Sequence, residues 1–372
     1  MRVLICGGGV IGASIAYFLS CRGVKATLIE RTGIACAASG KSGGFLALDW
    51  CDGTPLEGLA GRSFALHASL ADKIGRDFRR EWGYRRMTTY AGSATAQEHP
   101  QTVHTAHHLG WLSNNVRISR QLGTPDTTAQ VHPGEFTAAM MQAAQEHGAD
   151  LRLGQVTGLV QKEERVFGVE VDGTIVEGDA VVIAMGPWSV LAARWLPLPP
   201  VFGLKGHSLV FETGTQVPAE ALFLEFQEAR GSLHSPEVFP RADGTTYVCA
   251  ISSESPVPLD PSEVAPDPGA IDRLRAMCSS LSPILGKAKL LASQACHRPV
   301  TRDGLPLIGR VPGVEGAYVA TGHSVWGILN APATGEAVAE LIVDGEARSV
   351  DLAPFDPGRL APLDPARLRM GG

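Results

Sequence analysis

Near the C-terminal end of the 372-residue chain, the run ACHRPVTRDGLPLIG (295–309) sets a thiol, Cys296, two residues before Arg298 and seven before Asp303. The segment 289–298 reads as a strand, on which residues i and i+2 point the same way. Cys296 and Arg298 therefore face a common partner, and a neighbouring guanidinium favours the thiolate, the nucleophilic form of cysteine. The guanidinium fork suits bidentate recognition of a carboxylate. Two uses of Arg298 are open on this basis: an ion pair with Asp303 on the following turn, or a carboxylate supplied by a ligand. Asp303 and Gly304 have the composition of a turn whose Asp bonds back to the backbone.

Such chemistry needs a binder for something larger, and the N-terminal run RVLICGGGVIGASIAYFLSCRGVKATLIE supplies one. Residues 3–6 read as a buried strand, 11–20 as a helix with an apolar face and 25–29 as a second strand. Gly7, Gly9 and Gly12 fall between the first two in G-x-G-x-x-G spacing, with Val10 and Ile11 opening the helix. The first glycine permits the tight turn, the second lets backbone approach a pyrophosphate, and the third allows close helix–strand packing. The helix N-terminus presents free N–H groups to the phosphates. Glu30 stands 18 residues after Gly12, where a carboxylate meets a ribose hydroxyl. A carboxylate there disfavours NADP; NAD and FAD both fit. A second loop, ASGKSGGFLALDWCDG (38–53), has no use in a simple NAD dehydrogenase.

The composition is that of a globular protein, 44% hydrophobic and 19% charged, and the length allows about two structural units. With a net charge of −6 and no basic block, nucleic acid is not an expected partner. The seven cysteines are odd in number and include no C-x-x-C pair, so neither a zinc cage nor a disulfide framework is expected. A reducing, cytoplasmic location fits. No apolar run reaches spanning length, so no membrane span is expected.

Helices are predicted over 56–82, 269–281 and 335–343, with a further one near 99–110 inside an otherwise polar, irregular stretch, 91–130. HPGEFTAAMMQAAQEHGADLRLG (132–154) has helix–strand grammar. Three short strands, 156–160, 166–171 and 174–176, include a hairpin at Asp172–Gly173. A buried strand over 180–185 ends at Gly186. Strands over 204–212, 222–225, 237–239 and 245–251 belong to a largely antiparallel sheet. The Pro-rich tail after Asp351 is expected to be loosely attached.

Parallel-sheet grammar thus recurs at the start, middle and end of the chain. The expected fold is α/β, a discontinuous Rossmann-like FAD-binding domain with an inserted antiparallel-sheet substrate domain. The first comprises 1–84, 132–200 and 292–350, the second 85–131 and 201–291, and a tail covers 351–372.

Three motifs, GGGVIG…LIER, AMGPWS and CHRPVTRDGLPLIGR…YVATGHSVWGILNAPATGEAVAELI, resemble the D-amino-acid-oxidase superfamily of FAD-dependent oxidoreductases. Within it they resemble the glycine-oxidase and sarcosine-oxidase branch. The stretches 91–130 and 216–236, from which a substrate pocket would come, match no pattern. The resemblance implies FAD in an extended conformation. Gly7, Gly9, Val10, Ile11 and Gly12 would meet the pyrophosphate, with Glu30 and Arg31 beside the adenosine. Ser39, Gly40, Lys41, Ser42, Gly43, Gly44 and Phe45 would wrap the pyrophosphate and the near edge of the flavin. Val156, Gly186 and Trp188 would touch the cofactor from the middle of the chain. Gly322, His323, Trp326, Gly327 and Ile328 would bring a helix N-terminus to the flavin's N1–C2=O edge, favouring the anionic reduced form.

The same resemblance implies oxidation of a small amine or amino acid to an imine. Arg298 would pair with the substrate carboxylate, hydride would pass to flavin N5, and molecular oxygen would reoxidise the flavin to give peroxide. A dehydrogenase with another acceptor and a flavoprotein adaptor or sensor are the alternative readings. Trp326 either walls the substrate cavity or packs in the core. Lys205 either helps oxygen accept an electron or is a solvated strand lysine. His323 is expected to satisfy backbone groups. Cys296 stands where sarcosine-oxidase-like members carry a cysteine joined to the flavin, but RPVTRDGLP is closer to the glycine-oxidase form, so non-covalent FAD is expected.

Overall fold

A computed structural model describes residues 1–96, 107–228 and 231–368. The strand Arg2–Cys6 is buried from Val3 onward. It pairs in parallel with Lys25–Glu30 on one side and Ala180–Ile183 on the other. Asp150–Leu153 extends the sheet beyond Lys25–Glu30, and Ala317–Thr321 extends it beyond Ala180–Ile183. An antiparallel edge strand, Leu307–Arg310, completes six. Strand order reverses at Arg2–Cys6, the switch point outside which such sheets bind ligands.

Both faces of this sheet are covered, which is why its strands are continuously apolar. Val3 and Ile5 pack under the helices α1 (Val10–Cys21), α2 (Glu57–Phe78), α3 (Pro133–Glu146) and the C-terminal Gly327–Val343 helix. Leu4 and Cys6 face the small antiparallel sheet Val156–Lys162, Arg165–Val171 and Thr174–Glu177. Its hairpin turns at Asp172 (φ 49°) and Gly173 (φ 75°), the two positive φ values of a type I′ turn.

An eight-stranded sheet stands apart from this one. Its main path runs Lys289–Val300, Phe202–Glu212, Thr245–Glu254, Glu237–Pro240, Glu220–Gln227, Thr88–Thr95 and Val116–Gly123, with Leu233–His234 off the path. All its pairings are antiparallel except that of Glu220–Gln227 with Thr88–Thr95. The helices α4 (Ala270–Leu281) and α5 (Pro283–Lys287) seal one face through Leu274, Met277 and Leu285.

Two readings of the sequence need correction here. The stretch 91–130 contains strands Val116–Gly123 and Thr128–Gln130; the first is only partly covered, and the second is fully buried, its Thr128 and Gln130 side chains hydrogen-bonded inside. The expected helix near 99–110 falls largely outside the described residues. Residues 292–298 belong to the eight-stranded sheet and not to the nucleotide-binding part, because Lys289–Val300 pairs along its whole length with Phe202–Glu212.

The tail is also held firmly. Phe355 is fully buried, Pro357 is buried, and Arg359 pairs with Asp303 at 2.7 Å while donating to the Leu305 carbonyl. This ion pair, and not Arg298, is the partner of Asp303, whose carboxyl is pulled down to about 2 chiefly by the Arg359 hydrogen bonds. Phe355→Ala should cost on the order of 3 kcal/mol of unfolding free energy. A urea titration showing no change would return the tail to a loose appendage.

The last helix, α6 (Gly327–Val343), begins eight residues before the predicted 335–343 segment and carries Pro332 inside it. Proline has no N–H to give the Ile328 carbonyl, and its ring disturbs the preceding turn. Two buried residues on α2 repair the gap. His67 Nε2 donates to the Ile328 and Leu329 carbonyls at 3.0 and 3.1 Å, and the Ala333 N–H donates to Ser63 Oγ at 3.1 Å. Farther along, Gly335 lies against Ser14 of α1, where an added Cβ would come within 2.7 Å of backbone. Helix α6 is thereby fixed against α1 and α2.

Burial lowers the pKa of His67 from 6.5 to about 4. The unfolded chain therefore takes up this proton at higher pH than the native one. Stability is full above pH 6.5 and is lost as pH falls toward 4, at about 1.4 kcal/mol per pH unit for one such group. His67→Gln should flatten that acid slope in urea midpoints measured between pH 7 and 4.5. An unchanged slope would rule His67 out as its source.

Candidate functional site

A cavity of about 380 Å³ lies between the C-terminal ends of the parallel strands and one face of the eight-stranded sheet. Its nucleotide-like side is built from backbone. Gly7 turns at φ +117°, and a Cβ there would lie 2.4 Å from the Ala184 carbonyl. A Cβ on Gly12 would lie 2.0 Å from the Gly7 carbonyl, so Gly12 acts by packing and does not itself line the cavity. The Gly8 N–H donates to Glu30 Oε2 at 2.6 Å, and the Thr32 N–H to Oε1 at 2.8 Å. The Val10 N–H donates to Ser39 Oγ at 2.9 Å. The N-cap Gly9 gives helix α1 no side-chain cap and its first turn has no acidic residue, so beyond the Ser39 hydroxyl no charge offsets its positive end at the cavity.

Of the second glycine loop, Ser39, Ser42, Gly43, Gly44 and Phe45 line the cavity. Gly40 and Lys41 do not; Gly40 is pressed against the Ala35 carbonyl. Gly43 has no room for a side chain because the Phe239 ring would lie 2.3 Å from its Cβ. The buried Arg241 donates to the Ser42 carbonyl at 3.0 Å and sits 5.4 Å from the Tyr247 ring, fixing the loop from behind.

The far wall comes from the sheet. Residues 292, 294, 296 and 298 share one face of Lys289–Val300, opposite Val210, Ser208, Gly206 and Leu204 of the next strand. Gly206 leaves space that Arg298 fills, its Nη2 being 3.1 Å from where a Cβ would stand. The half-buried Arg298 side chain makes no hydrogen bond or ion pair with any described residue. Burial opposes its charge, but Cys249, Glu237, Tyr247 and Cys296 around it together hold its pKa up. Burial pushes the Cys296 thiol up, and Arg298 and Lys41 only partly offset this. Tyr247 and Cys249 are raised well above their usual values by burial and keep their protons.

Aromatic rings close this part of the cavity. Phe45 stacks on Phe239 at 5.2 Å and meets Trp50 and Phe223 at 5.1 Å. Trp326 stands edge-on to Trp50 at 6.4 Å, in the cavity wall. The α6 N-terminus brings Gly327 and Ile328 to the cavity, with no acidic residue in its first turn. His323 also lines the cavity, but its Nε2 meets the Thr334 hydroxyl at 3.1 Å and not a backbone group, and burial lowers its pKa to about 3. Gly322 stays outside the lining; at φ +81° it turns the chain against Thr301.

Glu30, Arg31, Val156, Gly186, Trp188 and Cys296 all lie in the wall. Lys205 does not. Its strand position faces away from Arg298, paired with His297, and its Nζ meets Asp267 at 2.6 Å. Strand alternation thus removes Lys205 from the site. The sequence reading did not include Gly206, Trp50, Phe223, Glu237, Tyr247 or Cys249. Only Gly206 carries a signal, since a glycine inside a strand marks close approach by another group.

The wall suits a flavin dinucleotide. It offers a carboxylate for a ribose, an uncapped helix end and glycine loop for a pyrophosphate, an aromatic enclosure and a second uncapped helix end. Comparison with known proteins agrees. The family described as FAD dependent oxidoreductase matches residues 2–341. An oxidoreductase of Schizosaccharomyces pombe is 30% identical over 96% of this chain and 97% of its own. The glycine oxidase of Pseudomonas aeruginosa is 27% identical over 96% of this chain and 99% of its own. Among solved structures, glycine oxidase from Geobacillus kaustophilus superposes with a TM-score of 0.79 at 26% identity, covering 96% of this chain and 99% of that one. L-proline dehydrogenase from P. horikoshii shares the fold, with a TM-score of 0.77 at 21% identity over 96% of this chain and 97% of that one. The chain belongs to the FAD-dependent oxidoreductases of the D-amino-acid-oxidase superfamily, in the glycine-oxidase-like branch.

Proposed function

We infer that the protein oxidises a small carboxylated amine to its imine, with oxygen as the electron acceptor. The observation carrying this is Arg298: a half-buried guanidinium in the cavity wall, laid over Gly206, with no described counter-ion. A charge kept there without a partner is matched by a ligand carboxylate, which its fork grips through two hydrogen bonds. The surrounding aromatic rings favour a small substrate. The glycine oxidases among its relatives make glycine the first amine to test.

FAD would be held by Glu30 at a ribose, by 7–11 and 39–44 at the pyrophosphate, and by Gly327 and Ile328 at the ring. Bound there, it would accept hydride from the amine Cα and hand the electrons to oxygen as peroxide. The protein's part is positioning: Arg298 fixes the carboxylate, and Trp326 and Trp50 wall the space beside it. The seven cysteines are all free, which supports a reducing, cytoplasmic setting.

Anaerobic addition of glycine and other small amines should bleach the flavin, and aerobic turnover should release peroxide. Reduction of a dye without peroxide would move the reading to a dehydrogenase. Arg298→Ala should raise KM for carboxylated amines by on the order of 2–5 kcal/mol with flavin content intact. Gly206→Val should do the same by displacing the guanidinium. Equal losses for amines lacking a carboxylate would contradict the assignment.

The FAD is also inferred to be non-covalent, because attack on the ring needs a thiolate and burial holds Cys296 as the thiol. Acid precipitation should leave the yellow colour in the supernatant. A yellow pellet that turns colourless in Cys296→Ser would show the opposite.

A further inference from the structure

A bound amino acid carries its nitrogen as ammonium at neutral pH, and that nitrogen must lose a proton before hydride can leave Cα. The groups around Arg298 differ sharply in their ability to take it. Tyr247 and Cys249 keep their own protons, and burial likewise holds Cys296 as the thiol. His323 shares Nε2 with Thr334 and is driven by burial to a poorly basic imidazole. Glu30 is engaged by the Gly8 and Thr32 N–H groups on the nucleotide side.

Glu237 differs from all of these. It lines the same cavity as Arg298, and its side chain has one partner among the described residues, the weakly donating Cys249 thiol at 3.5 Å. Phe223, opposite it on the neighbouring strand, brings no charge. It makes no ion pair with Arg298. A second cavity, of about 370 Å³, lies behind it. Glu237, Cys249 and Arg298 line both cavities, and Ser235, Ser252 and His234 make the second one polar. His234 is itself paired with Glu228 at 3.1 Å.

We propose that Glu237 is the proton acceptor for the substrate ammonium, taking the proton in the first cavity and releasing it to solvent through the second. This rests on the amine-oxidation reading above. The step is R–NH₃⁺ plus carboxylate giving R–NH₂ plus carboxylic acid, and the acid then returns its proton to solvent. Two physical effects drive it. The Arg298 charge disfavours a second cation beside it, and burial raises the proton affinity of Glu237 toward the range useful to a general base, with Arg298 opposing in part.

The test uses the holoenzyme with three probes: glycine, 2-aminoisobutyrate, which has no Cα hydrogen to lose, and isobutyrate, which has no nitrogen. In Glu237→Gln, anaerobic bleaching by glycine at pH 7 should slow on the order of 100-fold. The gap should close as pH rises and the amine arrives neutral, and Glu237→Asp should fall between. From the flavin absorbance shift, binding of 2-aminoisobutyrate should weaken on the order of tenfold, as for loss of one charge-assisted hydrogen bond. Isobutyrate should bind no more weakly than to the wild type.

A Gln variant with the wild-type rate and pH profile would overturn the assignment, as would equal weakening of both ligands. If the Gln variant loses its flavin, the pH profile of the Asp variant decides, and one coinciding with the wild type overturns it. A wild-type protein that no amine bleaches overturns the amine-oxidation reading first, and Glu237's role with it.

Discussion

A guanidinium kept charged in a half-buried wall, with no described carboxylate in ion-pair reach, is the constraint around which the rest of the site is arranged. Unpaired buried charge is costly, so the protein must supply both the space and the field that retain it. Space comes from the missing side chain at Gly206. The field comes from acidic groups on three strands, Cys249 and Tyr247 on one, Glu237 on the next and Cys296 on the arginine's own, of which only Glu237 is a carboxyl. Rigidity comes from the strand itself, hydrogen-bonded to Phe202–Glu212 from Val300 to Lys289. In the proposed function, a ligand carboxylate would complete what the protein leaves open, and its position would fix that of the amine.

The opposite wall solves its problem with backbone. Two helices, α1 and α6, end at the cavity without an acidic residue in their first turns, and at α1 the Val10 N–H is met by the Ser39 hydroxyl and not by a charge. For α1 the glycine spacing alone is enough. For α6 the chain has to pass through Pro332, and it does so because Ser63 and His67, one turn apart on α2, supply the missing polar partners. The helix terminus at the cavity therefore depends on two residues outside its wall.

This difference explains what was legible in the sequence. The G-x-G-x-x-G turn, Glu30, the 156–176 hairpin and the Arg298 strand are local: spacing and period decide them. The start of α6 was hidden because Pro332 and Gly335 look like breakers until α2 and Ser14 are brought against them. The tail looked loose because proline content says nothing of Phe355, whose burial needs partners far back in the chain. Lys205 was misplaced for a simpler reason. Its type is suggestive, but its parity on the strand puts it against Asp267 on the outer face.

Parity also determines the rest of the site, through one irregularity that no local pattern announces. Leu204 and Gly206 pair with Glu254 and Ser252, but Ser208 pairs with Cys249, leaving Ala250 unpaired as a bulge. A one-residue offset turns every side chain beyond it to the other face. Without the bulge, Tyr247 and Cys249 would point away from Arg298. Glu237 and Phe239, which pair directly with Cys249 and Tyr247, would turn with them. One extra residue therefore sets which polar groups surround the guanidinium and places the carboxyl of Glu237 on the same face as the arginine.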